Sequence, residues 1–195
     1  MPGKPKGIHV IAGGYEYERI VKPMIGEYPA EKLIILEDIE TKQHKETNKL
    51  IQNFLDKIQE FPVNTEIIPI NIYNFDQILN KTTEIIQKHS TKQTPIYLNI
   101  SSAPKLALVA MISAAYLTNK NIEIFYVQPK EYKIPKILNK ITDLENPENL
   151  KQLKKLSKQF KEQGSATGIK NYEVIPLFPT EKIKKIDHQI LKTIN

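Results

Sequence analysis

The stretch "PIYLNISSAPKLALVAMISAAYL", residues 95–117, runs from an apolar, partly β-branched segment through a polar joint into an apolar, alanine-rich segment. Pro95 to Ile100 is too short and too apolar for anything but a buried strand, and Ala103 to about Thr118 reads as a helix buried against it. A strand feeding directly into a helix is half of a parallel crossover unit, so the joint suggests an α/β protein. The neighbouring segments repeat the pattern. "GIHVIAG" (7–13) reads as a strand, followed by a helix carrying Ile20, Val21, Met24 and Ile25 with Pro23 in its first turn. "KLIILE" (32–37) is a second strand, and residues 42–60 read as an amphipathic helix with Leu50, Ile51, Phe54, Leu55 and Ile58 on one face. "TEIIPINIY" (65–73) is a third strand, which Pro69 assigns to an edge or a bulge. Asn74 caps the next helix, which runs to about Lys88, and "IEIFYVQ" (122–128) is the fifth strand. Strands alternate with helices and hairpin signals are missing. The expected fold class is therefore α/β, a Rossmann-like, mostly parallel sheet with helices on both faces, over residues 7–129.

Beyond Pro129 the pattern weakens. Residues 130–146 read as irregular, 147–163 as a lysine-rich helix, "GSATG" as a loop and "YEVIPLFP" as a strand or an extended linker. Together 130–180 are expected to be a linker and basic helix. "TEKIKKIDHQILKTIN" (180–195) opens with a threonine cap and carries isoleucines at helical spacing. The fold class thus includes a basic C-terminal helical extension. The charge is uneven: residues 1–129 hold 14 basic and 14 acidic side chains, residues 130–195 hold 14 and 8. A nucleic-acid-facing surface and a solvated lysine helix both account for that excess, and the solvated helix is the simpler account. The chain has a single arginine, Arg19, so bidentate readout of bases is scarce.

No apolar run approaches the ~20 residues needed to cross a bilayer, and "MPGKPKG" has no signal-peptide core. Without cysteine there is no disulfide, thiolate metal site or cysteine nucleophile. The four histidines have no metal-ligand spacing, so no metal and no cofactor is expected, and His9 reads as a core residue. A cytoplasmic location is the simplest expectation, with no membrane partner.

In an open α/β sheet, ligands bind beyond the carboxyl ends of the strands where strand order reverses. Two joints compete for that place. The first is "AGGYEYER", where Gly13 and Gly14 allow close backbone approach, although neither GxGxxG nor a phosphate-binding GK[ST] is present. Glu16 and Glu18 there could act as acids or bases, and tyrosines 15, 17, 73 and 126 lie near strand ends, where a surface aromatic and a base-stacking one read alike. The second is "NISSAPK". Capping explains one serine and Pro104. It leaves Asn99, the other serine and Lys105 without a task. A lysine in the first helical turn opposes the helix dipole by ~0.3–1 kcal/mol. A bound anion would reverse that sign.

The pattern Asn99-x-Ser101-x-x-x-Lys105 between strand and helix resembles the [DN]-x-[ST]-x-x-x-[RK] motif of CRISPR-associated Rossmann fold (CARF) domains. "HVIAGGYEYERIVKPMI" (9–25) and "AEKLIILE" (30–37) resemble the start of an archaeal branch of transcriptional regulators. The resemblance implies a homodimer that binds a cyclic oligoadenylate, the four-membered ring first, across its two-fold axis. The ligand-binding residues it implies are Gly13, Gly14, Tyr15, Glu16, Tyr17, Asn99, Ser101, Ser102, Ala103 and Lys105. Ser101, Ser102, Lys105 and backbone amides would hold phosphates, Asn99 would orient the loop or contact ribose, and Tyr15 and Tyr17 would stack on adenines. It also implies a DNA-binding winged helix-turn-helix domain, of which residues 181–195 would be the opening helix. At Ala103-Pro104 the chain departs from the family's usual Gly-Thr, and proline removes one backbone donor. Two alternatives accompany this expectation. One is a metal-independent ring nuclease, using Lys105 and Ser101 and a 2′-hydroxyl as nucleophile. The other is a dimerisation domain whose pocket has decayed.

Overall fold

Apolar side chains along Gly7–Ala12 (β1) divide strictly between two faces: Ile8, Val10 and Ala12 on one, His9 and Ile11 on the other. The next strand, Ala30–Asp38 (β2), does the same with Ile34 and Leu36 against Leu33 and Ile35. A sheet apolar on both faces must be covered on both, and it is. The chain continues through α1 (Tyr17–Ile25, between β1 and β2), β3 (Asn64–Ile70), α2 (Phe75–His89), β4 (Ile96–Asn99), α3 (Lys105–Thr118), β5 (Ile122–Tyr132), α4 (Lys133–Ile141), α5 (Pro147–Gln163) and β6 (Ala166–Ile175). This structure, a computed structural model, describes residues 3–14, 16–39, 53–58, 60–118, 120–142 and 144–177.

The sheet order is β3-β2-β1-β4-β5-β6, parallel except for β6, which runs antiparallel to β5. Helices α2 and α3 cover one face. Their Ile78, Ile85, Ile86, Ala107, Ala110 and Met111 join the larger core. Helix α1 and the helical residues 53–58 cover the other through Ile20, Val21, Met24, Phe54 and Ile58. The Rossmann-like fold class is as expected. Pro69 lies on the edge strand β3, where its missing N–H faces no further neighbour. Asn74 caps α2, its side-chain oxygen accepting from the Gln77 amide at 3.0 Å.

His9 is fully buried among Tyr28, Tyr97 and Phe125, with ring centroids of the last two 5.3 and 5.9 Å away. Its Nε2 lies 2.7 Å from the Tyr28 carbonyl oxygen. A carbonyl only accepts, so Nε2 carries the proton and Nδ1 is bare. Burial holds the imidazole pKa down at about 4, against a smaller opposing effect of the Tyr28 hydrogen bond.

Several boundaries differ from expectation. Strand β3 ends at Ile70 because Asn71 turns the chain, its carbonyl accepting from the Asn74 amide and its side chain from the Tyr73 amide. Pro23 falls well inside α1 rather than in its first turn. Of the helix expected over 42–60, only residues 53–58 and 60 are described. The segment 130–180, expected as linker and basic helix, contributes more than that. Strand β5 continues past a bulge at Gln128/Pro129 to Tyr132. Lys133–Ile141 is helical, with Pro135 tolerated in its first turn. Ala166–Ile175 is a strand of the main sheet. Its pairing with β5 is separated by two helices, so no tight turn announces it. Lys133 fixes the geometry of this extension. The side chain is buried, and its ammonium donates to the carbonyls of Gln159 and Gly164 at 3.0 Å and to Gln163 Oε1 at 3.3 Å. A cation on the last carbonyls of α5 complements that helix's dipole and sets the turn from α5 into β6. Residues 181–195, read as the opening of a winged helix, lie outside the described residues.

Candidate functional site

Strand order reverses between β1 and β4, the topological switch point of this fold. The carboxyl ends of those two strands carry Gly13-Gly14 and Asn99–Lys105, so both competing joints form one site. Gly13 and Gly14 adopt φ of 54° and 75°. A β-carbon on Gly14 would strike Ser102, including its carbonyl oxygen at 2.6 Å. The two loops are in close backbone contact, and only glycine permits it.

Asn99 is buried and each end of its amide is used. Nδ2 donates to the Arg19 carbonyl at 2.9 Å, while Oδ1 accepts from the Ser101 amide at 3.1 Å and from the Ser101 hydroxyl. The Arg19 carbonyl is available for a reason written in the sequence. Pro23, four residues on, has no N–H to give it, so the helix leaves that oxygen to Asn99. Ser101 in turn accepts from the Val127 amide at 2.8 Å, and Arg19 Nε donates to the Val127 carbonyl at 2.8 Å. Strand β4 stops at Asn99, so these two side chains continue the ladder along β5 where backbone partners have run out. Asn99 is thus the loop-orienting residue. The Ser101 hydroxyl is engaged as donor and acceptor inside the protein. Removing the Asn99 amide leaves a buried carbonyl unpaired, so Asn99→Ala is expected to cost about 2 kcal/mol. Urea unfolding checks this, and a midpoint unchanged from the parent would contradict it.

The remaining expected residues divide. Ser102 and Ala103 are half-buried and Lys105 is exposed. Among the described residues Lys105 has no ion-pair partner. Glu16 does not cap α1. Its two oxygens instead meet Arg19 Nη1 and the Ser165 hydroxyl. Tyr17 lies beside Lys57, whose ammonium is 5.4 Å from its ring centre. Tyr15 lies outside the described residues. Glu18 receives Lys22 at 2.6 Å and the Gly168 amide. Partial burial pushes its pKa up, but those donors outweigh it and hold the carboxyl below its usual range.

Gly14, Glu16, Tyr17, Ser101, Ser102 and Ala103 border a cavity of about 400 Å³ that Arg19, Phe54 and the end of α5 also line, whereas Lys105 and Glu18 are not among its lining residues. Arg19, Phe54 and the α5–β6 turn are site residues that the sequence reading missed. The one available signal was that a chain with 27 lysines holds one arginine. A lone guanidinium in such a chain marks a place where a planar fork, not just a charge, is needed. Among the described residues no cluster of three metal-ligating side chains is present, and no helix is long and apolar enough to cross a membrane.

A Rossmann-like sheet with a glycine loop and a polar joint at its switch point defines the α/β class of this domain. Residues 7–132 match the family described as HFX_2341_N:-like, N-terminal, and the chain belongs to that family. Uncharacterized protein MJ1513 of Methanocaldococcus jannaschii is 29% identical over 131 residues, 64% of this chain and 38% of that protein. Two solved structures share the fold. Can2 from Sulfobacillus thermosulfidooxidans, in complex with cyclic tetra-adenylate, superposes with a TM-score of 0.50 at 18% identity, over 63% of this chain and 32% of that one. Enterococcus italicus Csm6, bound to cyclic hexa-2′-fluoro-hexa-dAMP, superposes with a TM-score of 0.53 at 12% identity, over 96% and 46%. The chain therefore spans less than half the length of each. At these identities the two structures bear on the fold, and they support the Rossmann-like architecture expected from the sequence.

Proposed function

We propose that this chain is the ligand-sensing domain of a cytoplasmic regulator, and that it binds a cyclic oligoadenylate, the four-membered ring first, across the two-fold axis of a homodimer. The observation that carries this reading is the placement of Lys105. It is an exposed cation without an ion-pair partner among the described residues, in the first turn of α3 and at the switch point, where nothing but an anion offsets its conflict with the helix dipole. Helix α3 supports the dimer. Its buried face is Ala107, Ala110, Met111, Ala114 and Ala115, yet its outer face carries Leu106, Val109 and Leu117, each at least 40% exposed. That outer stripe begins one residue after Lys105, so a second copy seated on it brings two "NISSAPK" loops together. The ligands held by Can2 and Csm6, which share the fold, support the ligand class.

In this reading Lys105, Ser102 and the amides of 14 and 102–103 hold phosphates, the Gly13 amide being engaged by the Leu36 carbonyl at 2.8 Å, and Asn99 keeps the loop in register. Ligand binding alters the dimer geometry and with it the spacing of DNA-binding heads that follow residue 180. Titration calorimetry with cyclic tetra-adenylate tests the assignment. Binding is expected with one ring per dimer, and Lys105→Ala is expected to weaken it at least tenfold, about 1.4 kcal/mol, without lowering Tm. No heat from a folded dimer would remove the ligand assignment. Chromatography of the incubated ligand is expected to return it unchanged, whereas linear products would assign ring cleavage instead.

A further inference from the structure

Arg19 is 3% exposed, and its guanidinium is held on three sides. Nε donates to the Val127 carbonyl, Nη1 meets Glu16, and the Tyr126 ring covers one face with its centre 4.9 Å from the guanidinium carbon. Nη2 has almost no exposed surface, so a ligand reaches it only after a shift of the side chain, and among the described residues it has no hydrogen-bond partner. The stacked tyrosine does not relieve this, because guanidinium N–H bonds point in the plane and the ring lies over it. Buried donors are almost always paired, and an unpaired one on a charged group costs more than most. Arg19 also lines the 400 Å³ cavity. A second observation converges on the same place. Helix α1 begins there without a side-chain cap, since Glu16 is drawn away to Arg19 and Ser165. Among the described residues the Arg19 and Ile20 amides of its first turn bond back to the Glu16 carbonyl, and the Tyr17 and Glu18 amides, at the positive end of the helix, have no backbone acceptor.

We infer that Arg19 is an anion-binding residue of a cavity inside a single subunit, where its Nη2 edge and the Tyr17 and Glu18 amides of α1 take the phosphate of a mononucleotide-sized group. The cavity volume is at the small end of ligand sites, too small for a whole oligonucleotide ring and sufficient for one phosphorylated nucleoside. Glu16 and Glu162 border it alongside Arg19 and Lys161, so charges of the two signs balance and attraction comes from aimed donors. Glu16 leaves the anion room because Arg19 Nη1 and Ser165 already engage its oxygens. The phosphate has two sources, one unit of the cyclic ring or a free mononucleotide. Only the first rests on the ring-sensing reading above.

Because Arg19 is the only arginine, labelling the chain with ¹⁵N-arginine gives a single Nε–H resonance. Inorganic phosphate, adenosine 5′-monophosphate and cyclic tetra-adenylate are titrated in turn, with calorimetry alongside. A saturable shift of that resonance with adenosine monophosphate is expected, and Arg19→Lys, which keeps the charge and loses the fork and the resonance, is expected to weaken the affinity read by calorimetry at least tenfold. A shift with the ring as well makes the ring the source. A shift with the mononucleotide, without heat or shift from the ring, keeps the inference and removes the ring reading. Heat from the ring with the resonance unmoved removes the inference and keeps the ring reading. A resonance that none of the three moves up to about 10 mM, weaker than any affinity of biological use, overturns the inference.

Discussion

Gly14→Ala is expected to lower stability by about 3 kcal/mol or more, and ligand binding with it. Two effects add. At φ 75° the backbone is in the left-handed region, where a side chain costs roughly 1–2 kcal/mol. The new methyl group also meets Ser102, including its carbonyl oxygen at 2.6 Å, in a loop that cannot retreat because Ser101 is bound to Asn99 and Val127. For a chain of this size the change corresponds to roughly 10 °C in Tm. Gly3→Ala is the control, since a β-carbon there meets nothing within 4 Å. Thermal melts followed by circular dichroism decide the matter. Equal midpoints for the two variants would mean that the loops are not in the contact described.

The second large effect is on acid stability. His9 titrates at about 4 in the folded protein and near 6.5 when unfolded. The unfolded chain therefore takes up a proton that the folded one refuses as pH falls between those values. The stabilisation is complete above pH 6.5 and is lost on the way to pH 4, at up to ~1.4 kcal/mol per pH unit and about 3 kcal/mol in all. Carboxylates with depressed pKa, such as Glu18 and Glu66, act in the same direction but lower in pH. The interval from pH 6.5 to 5 is thus the diagnostic one. His9→Gln keeps a donor for the Tyr28 carbonyl and cannot titrate. Urea midpoints of the parent are expected to fall across that interval more steeply than those of His9→Gln, whose remaining slope includes His89, its pKa also lowered by partial burial and by Lys32 and Lys88; parallel curves would refute the assignment.

The strands were legible because sheets buried on both faces need uninterrupted β-branched runs, and the chain ends those runs with glycine, proline or asparagine. The role of Asn99 was half legible: orienting the loop was one of the two tasks the resemblance implied, a ribose contact being the other, and its partner depended on Pro23, which looked like an ordinary first-turn proline. What stayed hidden depends on distance along the chain. β6 reads as a loop and a doubtful strand because its sheet partner is on the far side of two helices. Arg19 reads as an unremarkable member of an amphipathic helix, since nothing local shows that Val127, more than a hundred residues away, offers it a carbonyl. Lys133 reads as one more lysine, and only the fold reveals that it is buried at the end of α5.

The early end of β4 has a mechanical consequence. Asn99, Ser101 and Arg19 rivet the loop before α3 to the backbone of β5 and to α1. A load applied at Lys105 cannot be absorbed by bending that loop alone. It passes into β5, whose other edge holds β6. The pocket wall and strand β6 are therefore joined by one hydrogen-bonded path that runs through the Val127 peptide.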